Sequence, residues 1–263
     1  MTSCKICKSD SDKILDVRTL NKYDVSYFKC PSCEFIQTEE PFWLAEAYSS
    51  AITSLDIGLI RRNQICAPLA ASVINFWYDN TRKFLDYGGG YGMFVRMMRD
   101  SGFDFYRQDL YCENLFSKNF DITDAKMNGQ KFELLTAFEV FEHLTHPMEE
   151  LEIMSSLSEN IFFSTITHDS TTDLNKWWYV IPETGQHIAL YSKKTLLFMA
   201  QSVGMNFYSR DGYHLFSKKK ISKFEFNLVF NPRFQKVFNK FHEKETLLYE
   251  DYNSISSRPI NRG

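Results

Sequence analysis

At 263 residues, 44% of them hydrophobic and 24% charged, the chain is long enough for one large core and a small appendage. Its formal net charge of -3 gives no general field for gripping nucleic acid or an anionic membrane. No run of about 18 uncharged apolar residues occurs and no secretory leader is evident, so the expectation is a cytoplasmic protein without stable membrane insertion.

Four of the six cysteines fall in the first 40 residues, as Cys4-x-x-Cys7 and Cys30-x-x-Cys33. Two such knuckles put four thiolates around one point, which suits a tetrahedral zinc site, and a closed four-sulfur site is structural. Disulfides are the alternative in an oxidising compartment. Between the knuckles, Ile14 to Phe28 alternates like a hairpin, with Asn21-Lys22 as its turn. From Pro41 to Tyr78 the apolar spacing (Leu44, Tyr48, Ile52, Leu55, Leu59, then Ile65, Leu69, Val73, Phe76) predicts two helices, with Pro68 starting or kinking the second. An arginine of the pair Arg61-Arg62 is a candidate for an anionic ligand group.

Next comes F-L-D-Y-G-G-G-Y-G-M-F-V-R-M-M, Phe84 to Met98, which reads as strand, tight turn, helix. Four glycines in five residues admit positive φ and let a ligand approach bare backbone. A P-loop needs Lys followed by Ser or Thr at the helix start, and neither is present; a dinucleotide fingerprint needs Gly or Ala where Met93 stands. The following strand, Phe103 to Gln108, ends at Asp109-Leu110, about 20 residues past the turn, where a carboxylate reaches ribose hydroxyls. Phe132 to Phe138 predicts another buried strand, leading into E-V-F-E-H-L from Glu139 to Leu144.

Pro147 to Leu157 has helical spacing, and Ile161 to Ile166 reads as a buried strand. The aromatic stretch around Trp177-Trp178-Tyr179 is a loop suited to acceptor binding, with both tryptophans as core caps the alternative. Ser192 is a candidate N-cap, residues 206–209 and 213–216 form a candidate hairpin, and Asn231-Pro232 opens an amphipathic helix bearing Phe234, Val237, Phe238 and Phe241. That face is expected on the N-terminal module or on a second subunit, giving a homo-oligomer.

The spacing D-x-G-x-G-x-G, Asp86 through Gly92, resembles motif I of class I S-adenosylmethionine (SAM)-dependent methyltransferases. The resemblance implies an α/β, Rossmann-like sheet and a SAM site of Asp86, Gly88, Gly90, Gly92, Asp109, Leu110 and Phe138, with Asp86 orienting the methionine amino group. The Glu139 to Leu144 segment resembles the one after the fourth strand in the branch containing the ubiquinone-pathway O-methyltransferases. There the matching residues, here Glu139, Glu142 and His143, can bind a divalent ion.

A four-cysteine zinc module followed by a helical linker and such a core is similar to the sugar C-methyltransferases acting on nucleotide-linked 4-keto-deoxysugars. Their Tyr-x-Glu-His segment matches Thr184-Gly185-Gln186-His187, where only the histidine remains. Loss of the tyrosine and glutamate disfavours carbanion chemistry, which needs a base and a group steadying the enolate oxygen. The organisation expected is residues 1–40 zinc-binding module, 41–75 helical linker or lid, 76–217 SAM-binding core and 218–263 C-terminal helical extension.

The function expected is SAM-dependent methyl transfer to a sugar or sugar-nucleotide oxygen, with His187 as general base, His143 as its rival and zinc at Cys4, Cys7, Cys30 and Cys33. C-methylation of a keto-deoxysugar nucleotide and a non-catalytic SAM-fold subunit that binds a partner protein are the alternatives. No nucleic acid partner is expected, since neither a basic stripe nor a base-gripping Pro-Pro motif occurs.

Overall fold

In the computed structural model, residues 2–49, 53, 55–169 and 171–256 are described. The chain forms two compact units, one of Met1–Asp56, Phe138–Ser156 and Phe163–Lys219, the other of Ile57–Ala137, Leu157–Phe162 and Lys220–Gly263.

The first unit opens with β1 (Thr2–Ser3), β2 (Asp10–Thr19), β3 (Tyr23–Lys29) and β4 (Ile36–Thr38). β2 and β3 pair antiparallel from Thr19↔Tyr23 outward. The turn between them is centred one residue earlier than the sequence predicts: Leu20 and Asn21 both have positive φ, 53° and 55°, and Lys22 N–H donates to the Thr19 carbonyl at 3.0 Å. That is the double left-handed turn matching strand twist, and asparagine tolerates it better than lysine.

The short helix α1 (Leu44–Ala47) follows. Ile52, placed by spacing on the same apolar face, lies outside the described residues.

In the second unit, α2 (Leu59–Trp77) is one helix that carries Pro68 inside it. Proline costs a helix one backbone hydrogen bond, yet the buried face of Leu69, Ala70, Val73 and Ile74 keeps the helix continuous through it. β5 (Lys83–Tyr87), α3 (Met93–Asp100), β6 (Asp104–Gln108) and β7 (Leu134–Phe138) come next; in chain order α4 (Pro147–Leu157), which belongs to the first unit but for its last residue, and β8 (Asn160–Ser164), shared by the two, then follow. β5 lies parallel to both β6 and β7. Phe84, Leu85, Leu134, Leu135, Ile161 and Phe162 are all fully buried, the unbroken apolar run of strands covered on both faces.

β9 (Ala189–Leu190), α5 (Lys193–Ser202), β10 (Asn206–Arg210) and β11 (Tyr213–Ser217) complete the first unit. Ser192 caps α5, its hydroxyl accepting from Thr195 N–H. β9 pairs with β4, so the N-terminal strands form a sheet of order β1-β2-β3-β4-β9. The central sheet has order β10-β11-β8-β7-β5-β6, with the hairpin β10-β11 antiparallel.

The chain ends in α6 (Lys223–Val229), α7 (Pro232–Phe241) and α8 (Leu248–Ile255), Asn231 capping α7 ahead of its first-turn proline. The aromatic face of α7 meets α2: Phe234 and Phe238 lie 5.9 and 5.6 Å from Phe76, and Asn239 bonds Ser72 at 2.9 Å. In place of the expected N-terminal module or second subunit, α2 partners Phe234 and Phe238 through Phe76, and the Asn239 amide, bonded to Ser72 and to the Pro68 carbonyl, fixes the contact. α8 is tied to α3 by Arg99, whose guanidinium donates to both Asp251 oxygens at 2.9 and 2.6 Å.

Candidate active site and metal centre

The glycine turn closes β5 onto α3. Gly88, Gly90 and Gly92 have φ of 68°, 54° and 83°, the left-handed region where a Cβ is strained. At Gly92 a Cβ would also meet the Ser117 hydroxyl at 2.2 Å, whereas at Gly90 it would meet nothing within 4 Å. Gly90 therefore borders open space, the property a ligand-facing turn requires.

Asp109 follows β6 and braces this turn. One carboxylate oxygen accepts from Gly90 N–H at 2.9 Å, the other from Tyr111 and Cys112 N–H at 2.8 Å each. Leu110 beside it is 80% exposed, an apolar surface at the same loop. Asp86 ends up almost completely buried, and burial pushes its carboxyl up to about 7, with the Thr136 hydroxyl bond opposing and Asp109 adding to the rise. A cation brought to Asp86 would relieve that cost, which fits the ammonium of a methionine moiety.

Arg107 was not picked out from sequence. It is buried, pairs with Asp121 at 2.8 Å, and donates to the carbonyls of Gly90 and Cys112, so it clamps the glycine turn to the loop after β6. Its only signal was an arginine following two aromatic residues in the strand Asp104–Gln108. Of the arginine pair at the start of α2, Arg61 is exposed and Arg62 lies against Gly58.

In the first unit a second cluster forms. His187 is buried, and its Nδ1–H donates to the Tyr179 carbonyl at 2.5 Å. A carbonyl only accepts, so the neutral imidazole carries its proton on Nδ1 and its lone pair on Nε2. His143 behaves likewise, since its Nδ1 lies 3.1 Å from the Gln186 carbonyl and 3.0 Å from the Tyr48 hydroxyl. The two imidazoles meet edge to face at 4.9 Å.

Tyr179 stands 4.7 Å from the His187 ring, and its hydroxyl donates to the Glu142 carboxylate at 2.7 Å. Burial, then the nearby Glu142 charge, holds that phenol well above its ordinary pKa, so it stays protonated. One ligating atom each from Glu142, His143 and His187 lies within 4.8 Å of the others. Glu139 turns elsewhere: its φ is 53°, and its carboxylate accepts from Ser164 at 2.6 Å. Phe138 is half-buried, 6.5 Å from Tyr213. In the aromatic loop Trp178 is 68% exposed while Tyr179 is core.

The cysteine knuckles have matching geometry. Lys8 N–H donates to the Cys4 carbonyl and Glu34 N–H to that of Cys30, at 3.0 and 2.9 Å, and both Lys8 and Glu34 take positive φ. Backbone N–H groups point at sulfur, Ile6 to Cys4 at 3.4 Å and Cys33 to Cys30 at 3.5 Å. The four sulfurs lie within 4.8 Å of one another, with Cys4–Cys33 at 3.5 Å and Cys7–Cys30 at 3.4 Å. Those separations are far beyond a disulfide bond of about 2.05 Å and close to the edge of roughly 3.8 Å expected of a tetrahedron with Zn–S of 2.3 Å. The donor set fits zinc.

Parallel strands, a glycine turn opening a helix, and an acidic residue at the end of the next strand define an α/β enzyme of the class I methyltransferase type. Residues 60–209 match the family model for a methyltransferase domain, more than half of the chain, and the protein belongs to that family and is a SAM-dependent methyltransferase.

Among solved structures, it is similar to the plantazolicin methyltransferase BpumL in complex with SAH (14% identity, 68% of this chain and 79% of that one, TM-score 0.45). It is also similar to an O-methyltransferase family protein from Burkholderia thailandensis (11%, 68% of each chain, TM-score 0.40). A third likeness is to the mitomycin 7-O-methyltransferase MmcR (10%, 58% of this chain and 53% of that one, TM-score 0.39). Thus the match spans about half of MmcR's length. No curated protein sequence gives a match.

Proposed function

We propose that the enzyme methylates a hydroxyl oxygen of a sugar, nucleotide-linked or within a glycan, with His187 as the proton acceptor. The observation that carries this is the tautomer of His187: its Nδ1–H is committed to the Tyr179 carbonyl, so the basic nitrogen is Nε2. When bound, SAM supplies an activated methyl on a positively charged sulfur. His187 takes the acceptor proton as the hydroxyl becomes a nucleophile, and the Glu142 carboxylate of the same cluster steadies the imidazolium that results. Imidazole is the side chain that takes up and gives back a proton most readily at neutral pH. His143, in the same tautomer, is the second candidate base.

Supporting a sugar acceptor are the zinc module's resemblance to sugar methyltransferases and the polar, aromatic surroundings of His187. In this reading Asp86, the three positive-φ glycines, Asp109, Leu110 and Phe138 hold SAM, and zinc at Cys4, Cys7, Cys30 and Cys33 holds the N-terminal module. The test is to supply SAM with a panel of nucleotide sugars and glycans and measure SAH release. Release with an acceptor supports the reading, and release with none of them removes the sugar.

One observation favours a second reading, methylation at carbon beside a ketone. Residues 184 and 186 lack the tyrosine and carboxylate of the sugar C-methyltransferases, but a tyrosine, Tyr179, stands 4.7 Å from the His187 ring and is hydrogen-bonded to a carboxylate, Glu142. The phenol proton is held by Glu142 here, and on this reading it would have to turn from that carboxylate to an enolate oxygen.

A further inference from the structure

The amino ends of the central strands carry a second concavity. Residues between Lys126 and Lys131 and the starts of β5 and β6 line a depression of about 260 Å³ that is open to solvent. Its lining brings together Arg82, Lys83, Lys126 and Lys131 against one acid, Asp104. That acid is already matched, since Arg99 holds it at 2.5 Å. The lining is thus strongly cationic in a chain whose net charge is -3.

Two further features suit a bound anion. The Lys83 ammonium is held in place, donating to the Ala125 carbonyl and lying 5.3 Å over the Tyr106 ring. The loop takes φ of 49° at Lys126 and 50° at Asn128, left-handed values that side-chain-bearing residues adopt at a cost and that cluster at ligand clamps.

The cavity is separate from the SAM turn. Lys83 opens β5 and Tyr87 closes it, so the two lie at opposite ends of a strand about 15 Å long. We propose that this cavity binds a diphosphate group. Four cations call for more negative charge than a single phosphate carries, and lysine ammoniums serve phosphoryl oxygens well as point charges. The diphosphate is either free or borne by a nucleotide, and the inference does not rest on the acceptor reading above.

The test is calorimetric titration of the full-length protein with inorganic pyrophosphate and, separately, with ADP, at about 50 and 200 mM salt. Saturable binding that weakens with salt is expected for at least one; tighter pyrophosphate binding identifies the free anion, tighter ADP binding the nucleotide. Lys126→Ala/Lys131→Ala should weaken it about tenfold or more, while SAM affinity, which reports on folding, is unchanged. Lys236→Ala/Lys240→Ala removes the same charge from α7 and should change affinity less than about twofold. Arg82→Ala serves if the double variant fails to fold. Absence of saturable binding to either ligand, or equal loss in the α7 variant, overturns the proposal.

Discussion

Replacing Asp86 with asparagine is expected to stabilise the ligand-free protein at pH 8 while weakening its hold on SAM. Asp86 is 4% exposed, and burial lifts its carboxyl from 3.8 to about 7. A carboxyl whose folded pKa lies above its unfolded one binds its proton more tightly when folded, so its contribution is whole below pH 3.8 and is lost as pH rises through about 7. At pH 8 the ionised carboxylate carries the full penalty of about three pKa units, roughly 4 kcal/mol at about 1.4 kcal/mol per unit. At pH 5 only about one unit, near 1.6 kcal/mol, has accrued.

Asparagine keeps an oxygen to accept from the Thr136 hydroxyl, now at 2.7 Å, but adds a buried amide N–H₂ whose cost is about 1–3 kcal/mol. That cost is the same at both pH values and cancels in their difference. Urea unfolding of wild type and Asp86→Asn, each without SAM, should therefore show a mutational change about 2–3 kcal/mol more favourable at pH 8 than at pH 5. An identical change at both pH values, or a larger gain at pH 5, would refute the reasoning that Asp86 is a desolvated acid awaiting a cation.

Asp109→Ala should weaken SAM binding by about 1.5–3 kcal/mol, the scale of lost charge-assisted hydrogen bonds; calorimetry showing wild-type affinity would remove it from the site. His187→Ala should lower turnover about 10²–10⁴-fold with SAM affinity intact, and wild-type turnover in the folded variant would pass the role to His143. Cys7→Ser should lose zinc by elemental analysis and destabilise the N-terminal sheet while SAM affinity holds; a zinc-free wild type with four reactive thiols counts against the metal centre. Asp251→Ala removes two charge-assisted hydrogen bonds from the buried Arg99 guanidinium and leaves Asp104 as its carboxylate partner, so thermal unfolding should report a loss of about 1.5–3 kcal/mol; a loss under about 1 kcal/mol would mean the pair is not a latch for α8.

Local patterns in the sequence carried much of this structure. The glycine cluster could only be a turn with positive φ, and the strand from Leu134 is a mostly apolar run, while those from Lys83 and Asp104 were placed by their distance from the glycines as much as by Phe84-Leu85 and Phe105-Tyr106. Ser192 and Asn231-Pro232 marked helix starts because capping is local chemistry.

What was hidden depends on long-range contact. Nothing in Ala189-Leu190 tells that it adds a strand to the N-terminal sheet, because two residues hold no period. The role of Arg107 rests on the carbonyls of Gly90 and Cys112, which only the fold brings around it. The cluster at His187 draws Tyr48, Glu142, His143 and Tyr179 from segments up to 139 residues apart, as the Gln186–Ala47 hydrogen bond shows. Spacing on one turn grouped Glu139 with Glu142 and His143, but the left-handed backbone at Glu139 sends its carboxylate to Ser164.

The most direct test of the account is to incubate the protein with SAM bearing a ¹³C methyl group and a panel of nucleotide sugars and glycans, then locate the label by NMR. The account predicts the label on a sugar oxygen, with transfer lost in His187→Ala. A label on nitrogen, or no transfer to any sugar while SAM is bound, would contradict it.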